Sequence, residues 1–191
     1  LGMVAARGDG GSGAVVIGHD MRPSGPDLVA AVADGVAEQG CDVVRIGLCS
    51  TDGMYFASGS TGLPGAMFTA SHNPAQYNGI KLCRSGARPI GADTGLDVIK
   101  AAAEAGLSAV ASRGSRREQD LLAAYAEHVH GFVDASLLRP LKVVADTANG
   151  MGGLVVPAVF ADLPFELEIL YPELDGTFPN HPADPIQPEN L

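Results

Sequence analysis

Apolar and polar positions along this chain follow two rhythms, and the switches between them lay out the elements. Ala14-Val15-Val16-Ile17-Gly18 is an unbroken apolar run entered from Gly8-Asp9-Gly10-Gly11, and it reads as a buried strand. A helix is predicted next, with Ser24 as N-cap, Pro26 in the first turn, and an end at Gln39 before Gly40. Leu28, Val32 and Val36 form its predicted inward stripe. Asp42 to Ile46 reads as a second strand, and Gly47 to Thr51 as a turn into a short helix through Met54, Tyr55 and Phe56. Gly65 to Thr69 and Ile80 to Cys83 are the third and fourth strands. Asp93 to Ala105 has a helical period, with Leu96, Ile99 and Ala103 turned inward. Ala109 to Arg117 is small and polar and reads as a loop. Glu118 to Gly131 is helical, with Leu121, Tyr125 and Val129 on one face beside Leu122 and Ala126.

Strands alternating with helices predict an α/β fold: a layered α/β/α domain with a mixed sheet. Near residue 137 the pattern restarts. Leu141 to Ala145 reads as a strand, Asp146 to Gly153 as a turn, and a helix runs through Val159 before the alternating strand Phe165 to Leu170. Tyr171 to Leu191 is Pro-rich and aperiodic. The organisation expected is therefore a first domain over 1–136 and an incomplete second domain of similar type over 137–191, with too few elements to close its own core.

Composition narrows the function. The 191 residues are 46 % hydrophobic, enough for a sizeable core, and carry a formal net charge of −10 with only 12 Lys and Arg. So acidic a chain is a poor match for a nucleic-acid backbone, so no nucleic-acid partner is expected. A small phosphorylated ligand is compatible, because a few cations can cluster inside an acidic envelope. No stretch is apolar enough to span a bilayer, and Leu1 to Arg7 has no signal-peptide pattern. Cys41, Cys49 and Cys83 are odd in number and lack C-x-x-C spacing, which favours small core residues in a reducing, cytoplasmic setting.

The chemistry concentrates at Thr69-Ala70-Ser71-His72-Asn73-Pro74, which follows the apolar run Ala66-Met67-Phe68, with Asn78-Gly79-Ile80-Lys81 soon after. A serine that carries phosphate needs a nucleophilic oxygen on a loop, a proton-handling neighbour and positive charge. Taken alone, Ser-His-Asn-Pro is more often a turn. Adjacent side chains point apart, so His72 is not simply the base for Ser71. Lys81, returned by Gly79, is what lifts the functional reading. The window lacks the G-x-S-x-G of hydrolases, and no G-K-[ST] triplet supports a Walker loop.

Other segments divide between site and scaffold. His19-Asp20-Met21-Arg22 ends the first strand, where ligands bind in open α/β sheets; Asp20 and Arg22 either pair and cap the loop, the slightly favoured reading, or touch substrate. Asp146 to Gly153 has the look of a phosphate cradle but lacks G-x-G-x-x-G, so tight strand–helix packing is the expected role. His181, between Pro residues, is read as structural. Asp175, Asp184 and Glu189 are scattered and form no evident metal cage.

With these residues in view, the chain resembles the α-D-phosphohexomutases, which include phosphomannomutase and phosphoglucomutase. Thr69 to Pro74 with Asn78 to Lys81 is similar to the family's active serine loop. Gly18-His19-Asp20-Met21-Arg22-Pro23-Ser24-Gly25 resembles its G-R-D-x-R-x-S-G segment, with His19 in place of the usual Arg. Asp146 to Gly152 resembles the start of its second domain, and Asp175 to His181 with Pro188 to Leu191 a later loop of that domain.

The resemblance implies an isomerase that interconverts hexose 1-phosphate and hexose 6-phosphate through a phosphoserine and a bisphosphate. Ser71 would carry the phosphate and bind Mg2+ through it. His72 and Lys81 would flank the reacting oxygens, with Lys81 the better proton carrier, and Arg22 and Asn73 would contact substrate or phosphate. Mannose is the first choice of sugar and glucose the alternative. The family's D-G-D-x-D-R metal loop, its later domains and its Y-D-I-R-G segment are not in these residues, so the chain alone is expected not to complete the cycle. A reading of another class is a non-catalytic module that binds a sugar phosphate or a protein.

Overall fold

The computed structural model describes residues 13–108, 110–184, 186 and 188. The Gly-rich entry at Gly8 to Gly11, Glu189 and the closing residues 189–191 lie outside the described residues. Eight strands form: β1 (Ala14–His19), β2 (Asp42–Leu48), β3 (Gly65–Phe68), β4 (Ile80–Arg84), β5 (Arg88–Pro89), β6 (Arg116–Glu118), β7 (Leu141–Asp146) and β8 (Phe165–Leu170). The helices are α1 (Gly25–Glu38), α2 (Thr51–Thr61), α3 (Leu96–Ala105), α4 (Leu122–His130) and α5 (Gly152–Phe160).

The first six strands make one mixed sheet in the order β5-β4-β3-β1-β2-β6. β1 is central and parallel to both β2 and β3, whereas β4 runs antiparallel to β3. Because β1 is buried on both faces, its sequence is continuously apolar, and Val15, Val16 and Ile17 are each 0 % exposed. Val15, Ile17 and Phe68 point to one layer with Val29, Ala33 and Val36 of α1. Val16, Val44 and Met67 point to the other, with Met54 and Ala57 of α2. Each of the Val, Ile, Phe and Met side chains contributes about 1.5–3 kcal/mol of burial. The layered α/β/α domain with a mixed sheet is as the sequence predicts.

The differences from the sequence reading have physical causes. The inward stripe of α1 is Val29, Ala33 and Val36, while Leu28 is 39 % exposed. Large apolar residues at 28, 29, 32 and 36 fit two adjacent faces, and the sheet selects the one a step further on. In α3 only Ile99 packs on the core; Leu96 is 42 % exposed and Ala103 is also on the surface. The segment read as a loop up to Arg117 ends instead in edge strand β6, paired with β2. Asp42 fixes it by accepting from the Ser115 N–H and hydroxyl, at 2.6 and 2.8 Å, and Arg116 pairs with Asp34. A charged three-residue edge strand has no hydrophobic alternation to reveal it. α4 accordingly starts at Leu122, whose N–H bonds Asp120.

The second unit has β7 and β8 as a parallel pair with α5 between them in sequence. The described part of α5 holds no fully buried residue, and Leu141 and Val144 of β7 are 51 and 56 % exposed. α4 packs against both α2 and α5 and so bridges the two units.

Candidate active site at the serine loop

The chain leaves β1 into α1 and β2 on one side, then crosses through α2 to β3 on the other side of β1. The loops after β1 and β3 therefore diverge at a topological switch point, the place where such sheets bind ligands. Arg22 sits on the first of these loops and Ser71 on the second. The Asp20 N–H donates to the Phe68 carbonyl at 3.0 Å, which ties the loop bases together.

Ser71 is exposed, with φ 54. A serine in this left-handed region is strained by roughly 1–3 kcal/mol, and such strain persists only where surroundings impose it. Two sets of contacts do so. The Ser71 N–H donates to Thr69 Oγ1 at 2.9 Å. From beneath, the Arg22 guanidinium donates from Nη2 to the carbonyls of Ser71 and Asn73, at 2.8 and 2.7 Å, and from Nη1 to those of Pro74 and Tyr77, at 2.8 and 2.9 Å. Its Nε donates to Asp20 Oδ2 at 3.3 Å, and the Arg22 N–H to Asp20 Oδ1 at 3.0 Å. Arg22 is 0 % exposed and Asp20 4 %. A guanidinium has five N–H donors, and all five are engaged. None is left for a substrate phosphate, so the expectation of Arg22 as a phosphate ligand is corrected: pairing with Asp20 and organising the loop is what it does here.

The other predicted residues fall as follows. His72 and Asn73 are exposed on the same loop, and only the Asn73 carbonyl is taken by Arg22. Lys81 lies on β4 opposite Met67, exposed, and on the sheet face that Met67 defines. The Thr69 N–H bonds the Gly79 carbonyl at 3.0 Å, closing the neck between β3 and β4. Ser24 occupies the N-cap position of α1 but makes no capping bond; its hydroxyl accepts instead from Asn78 Nδ2 at 2.9 Å.

Sequence reasoning missed Phe178 and Gly176 of the second unit. The Phe178 ring faces the Arg22 guanidinium, with Cζ 5.3 Å from its centroid. Gly176 lies against residues 21–23, where an added Cβ would meet Arg22 Cα at 2.7 Å. The family-like segment Asp175 to His181 was the available signal, but nothing in it named a partner. Asn149, 2 % exposed, anchors this loop: its Nδ2 donates to the Glu173 carbonyl and its Oδ1 accepts from Asn180, at 3.0 and 2.7 Å. The Asp146 to Gly153 turn thus packs tightly, and a methyl at Gly153 would run into the Pro172 carbonyl. His181 pairs with Asp146 at 3.1 Å, and its pKa is raised by its bond to the Pro182 carbonyl and then by Asp146. Among the described residues no three His, Cys, Asp or Glu side chains gather into a metal-sized group.

A mixed α/β sheet with an imposed serine loop at its switch point defines the class, a doubly wound domain with a constrained serine loop. Comparison with known proteins narrows it. The family model described as phosphoglucomutase/phosphomannomutase, alpha/beta/alpha domain I, matches residues 1–109, and that for alpha/beta/alpha domain II matches residues 123–191. The chain belongs to the phosphoglucomutase/phosphomannomutase family. It is 43 % identical over 183 residues to a protein of Xanthomonas campestris named for phosphohexose mutases, covering 93 % of this chain and 40 % of the relative. It is also 43 % identical over 184 residues to the phosphomannomutase of Salmonella typhimurium, covering 92 % of this chain and 40 % of that one. A crystal structure of a family protein from Burkholderia thailandensis superposes with TM-score 0.85 at 38 % identity, over 100 % of this chain and 42 % of that one. The chain thus spans about 40 % of the length of the curated relatives it matches.

Proposed function

We propose that Ser71 is the phosphate carrier of a hexose phosphate mutase. The observation that carries this reading is the exposed Ser71 at φ 54, on a loop whose carbonyls are pinned by a buried guanidinium. Phosphoryl transfer depends mainly on positioning and charge stabilisation, so a rigid, strained nucleophile loop suits it. Phosphoserine 71 gives its phosphoryl group to a hexose monophosphate: the sugar O–P bond forms, the Oγ–P bond breaks, and the sugar hydroxyl releases its proton. The bisphosphate returns its other phosphoryl group to Ser71 Oγ, and 1-phosphate and 6-phosphate are interchanged.

Lys81 serves as cation and proton carrier at the reacting oxygens, with His72 beside them. The Asn73 side chain contacts the substrate. The similarity to phosphomannomutases supports mannose as the first sugar and glucose as the alternative. Magnesium, when bound, would neutralise the Ser71 phosphate. The described residues fit it poorly, since they gather no group of three ligating side chains and offer that phosphate alone; no step is derived through the ion. Complete turnover is expected only where further carboxylates are supplied. We assign the units to 1–136 and 137–191. The setting proposed is the cytoplasm, which suits the buried thiol of Cys83, outside any disulfide.

Incubation of the chain with glucose or mannose 1,6-bisphosphate and magnesium, followed by intact mass measurement, tests the reading. One added phosphoryl group, absent in Ser71→Ala, is expected. An unlabelled but folded wild-type chain would favour the non-catalytic sugar-phosphate or protein-binding reading.

A further inference from the structure

The Arg22 side chain links the second unit's 175–178 turn to the serine loop. On one side its guanidinium holds the carbonyls of Ser71, Asn73, Pro74 and Tyr77. On the other it meets the Phe178 ring, 5.3 Å from Cζ to centroid. Gly176 presses on the backbone of the same arginine, with space for no side chain. The turn is itself imposed: Phe178 has φ 53, its N–H bonds the Asp175 carbonyl, and the Asp175 N–H bonds the Asn149 carbonyl, at 3.0 and 2.9 Å.

We propose that Phe178 is a positioning residue for Ser71, acting through the Arg22 guanidinium that it covers. An apolar ring over a guanidinium does two things. Its quadrupole attracts the cation, and its bulk keeps water away from donors already committed to the loop carbonyls. Both strengthen the four hydrogen bonds that hold Ser71 at positive φ. The second unit thereby fixes the serine loop of the first. The inference rests on the reading of Ser71 as phosphate carrier only for its consequence in catalysis; the mechanical link stands on the contacts themselves.

Hydrogen exchange on the full chain tests it. The Asn73 and Tyr77 N–H groups bond the Ala70 and Pro74 carbonyls within the loop, and the Val16 N–H bonds Pro64 in the sheet. In Phe178→Ala, exchange at Asn73 and Tyr77 should quicken about tenfold while Val16 keeps its protection. Phe178→Tyr, which keeps the ring, should restore wild-type exchange. Gly176→Ala, which lifts the turn but keeps the ring, should reproduce the Phe178→Ala pattern and serves if that variant does not fold. Phosphoryl uptake from glucose 1,6-bisphosphate should fall in step with loop opening. Unchanged exchange at Asn73 and Tyr77 in both Phe178→Ala and Gly176→Ala would overturn the proposal, as would an equal loss at Val16. Failure of the wild-type chain to take phosphate would contradict the Ser71 reading alone, because the exchange comparison needs no phosphate.

Discussion

Nη2 of Arg22 donates a 2.8 Å hydrogen bond to the carbonyl of Ser71, joining residues 49 apart in the chain. With three further carbonyls held by the same guanidinium, this bond makes the serine loop a fixture of the β1 loop. Arg22→Lys keeps the charge but loses the planar fork, and a lysine cannot serve four carbonyls and Asp20 together. We expect a loss of about 3 kcal/mol or more in urea unfolding, because four loop carbonyls and the buried Asp20 carboxylate lose partners.

Asp20→Ala approaches the same pair from the other side. It leaves a fully buried guanidinium without its carboxylate. Breaking a buried pair in this way costs about 3–5 kcal/mol, and the unfolding midpoint should drop accordingly.

Gly153→Ala probes the second unit. A Cβ at this position has no room beside the Pro172 carbonyl, which is backbone and cannot swing aside. Destabilisation of about 1–3 kcal/mol is expected, read by thermal or urea unfolding. A neutral result would show that the contact between α5 and the segment after β8 is loose.

Two ionisable contacts give opposite pH dependences. Asp42 is held below its usual carboxylate range by the Ser115 N–H first and the Ser115 hydroxyl second. Its contribution is therefore present above pH 3.8 and is lost as pH falls through the lower folded value. His181 is raised, by the Pro182 carbonyl and then Asp146, so its contribution is full below pH 6.5 and is lost as pH rises through the higher folded value. Asp42→Asn should flatten the acid limb of stability against pH, and His181→Gln the limb above pH 6.5. NMR titration of His181 should give a midpoint above that of an unfolded control.

Thiol chemistry supplies a further check. Burial pushes the Cys49 thiol up to about 12, and Asp20 adds to the shift. The folded chain should resist alkylation at Cys49 at pH 8.5 or so, and urea should release it.

Much of this was legible in the sequence, because periodic burial writes itself into residue order. β1 is an apolar run because both its faces are covered, and α1 ends before Gly40 as predicted. The sequence marked Thr69 to Pro74 as a turn after an apolar strand, and the structure places it there, after β3. The role of Arg22 was only half legible: its pairing with Asp20 follows from nearness in sequence, but its four carbonyl acceptors lie on another loop. Backbone carbonyls belong to every residue type, so a side chain that binds them leaves no trace in its partners. Phe178 escaped notice for the same reason, since a ring in a Pro-rich turn does not announce a distant cation. The choice of Val29 over Leu28 for the inward face depended on the sheet, not on the helix.

The most direct test of the account is site-resolved phosphoryl labelling. Wild-type chain and Ser71→Ala, both checked for folding, would be exposed to glucose 1,6-bisphosphate labelled in its phosphoryl groups and then mapped by peptide fragmentation. The account predicts label on the Ser71 oxygen of the wild type and none on the variant. Label on Thr69 or elsewhere, or equal labelling of both chains, would contradict it.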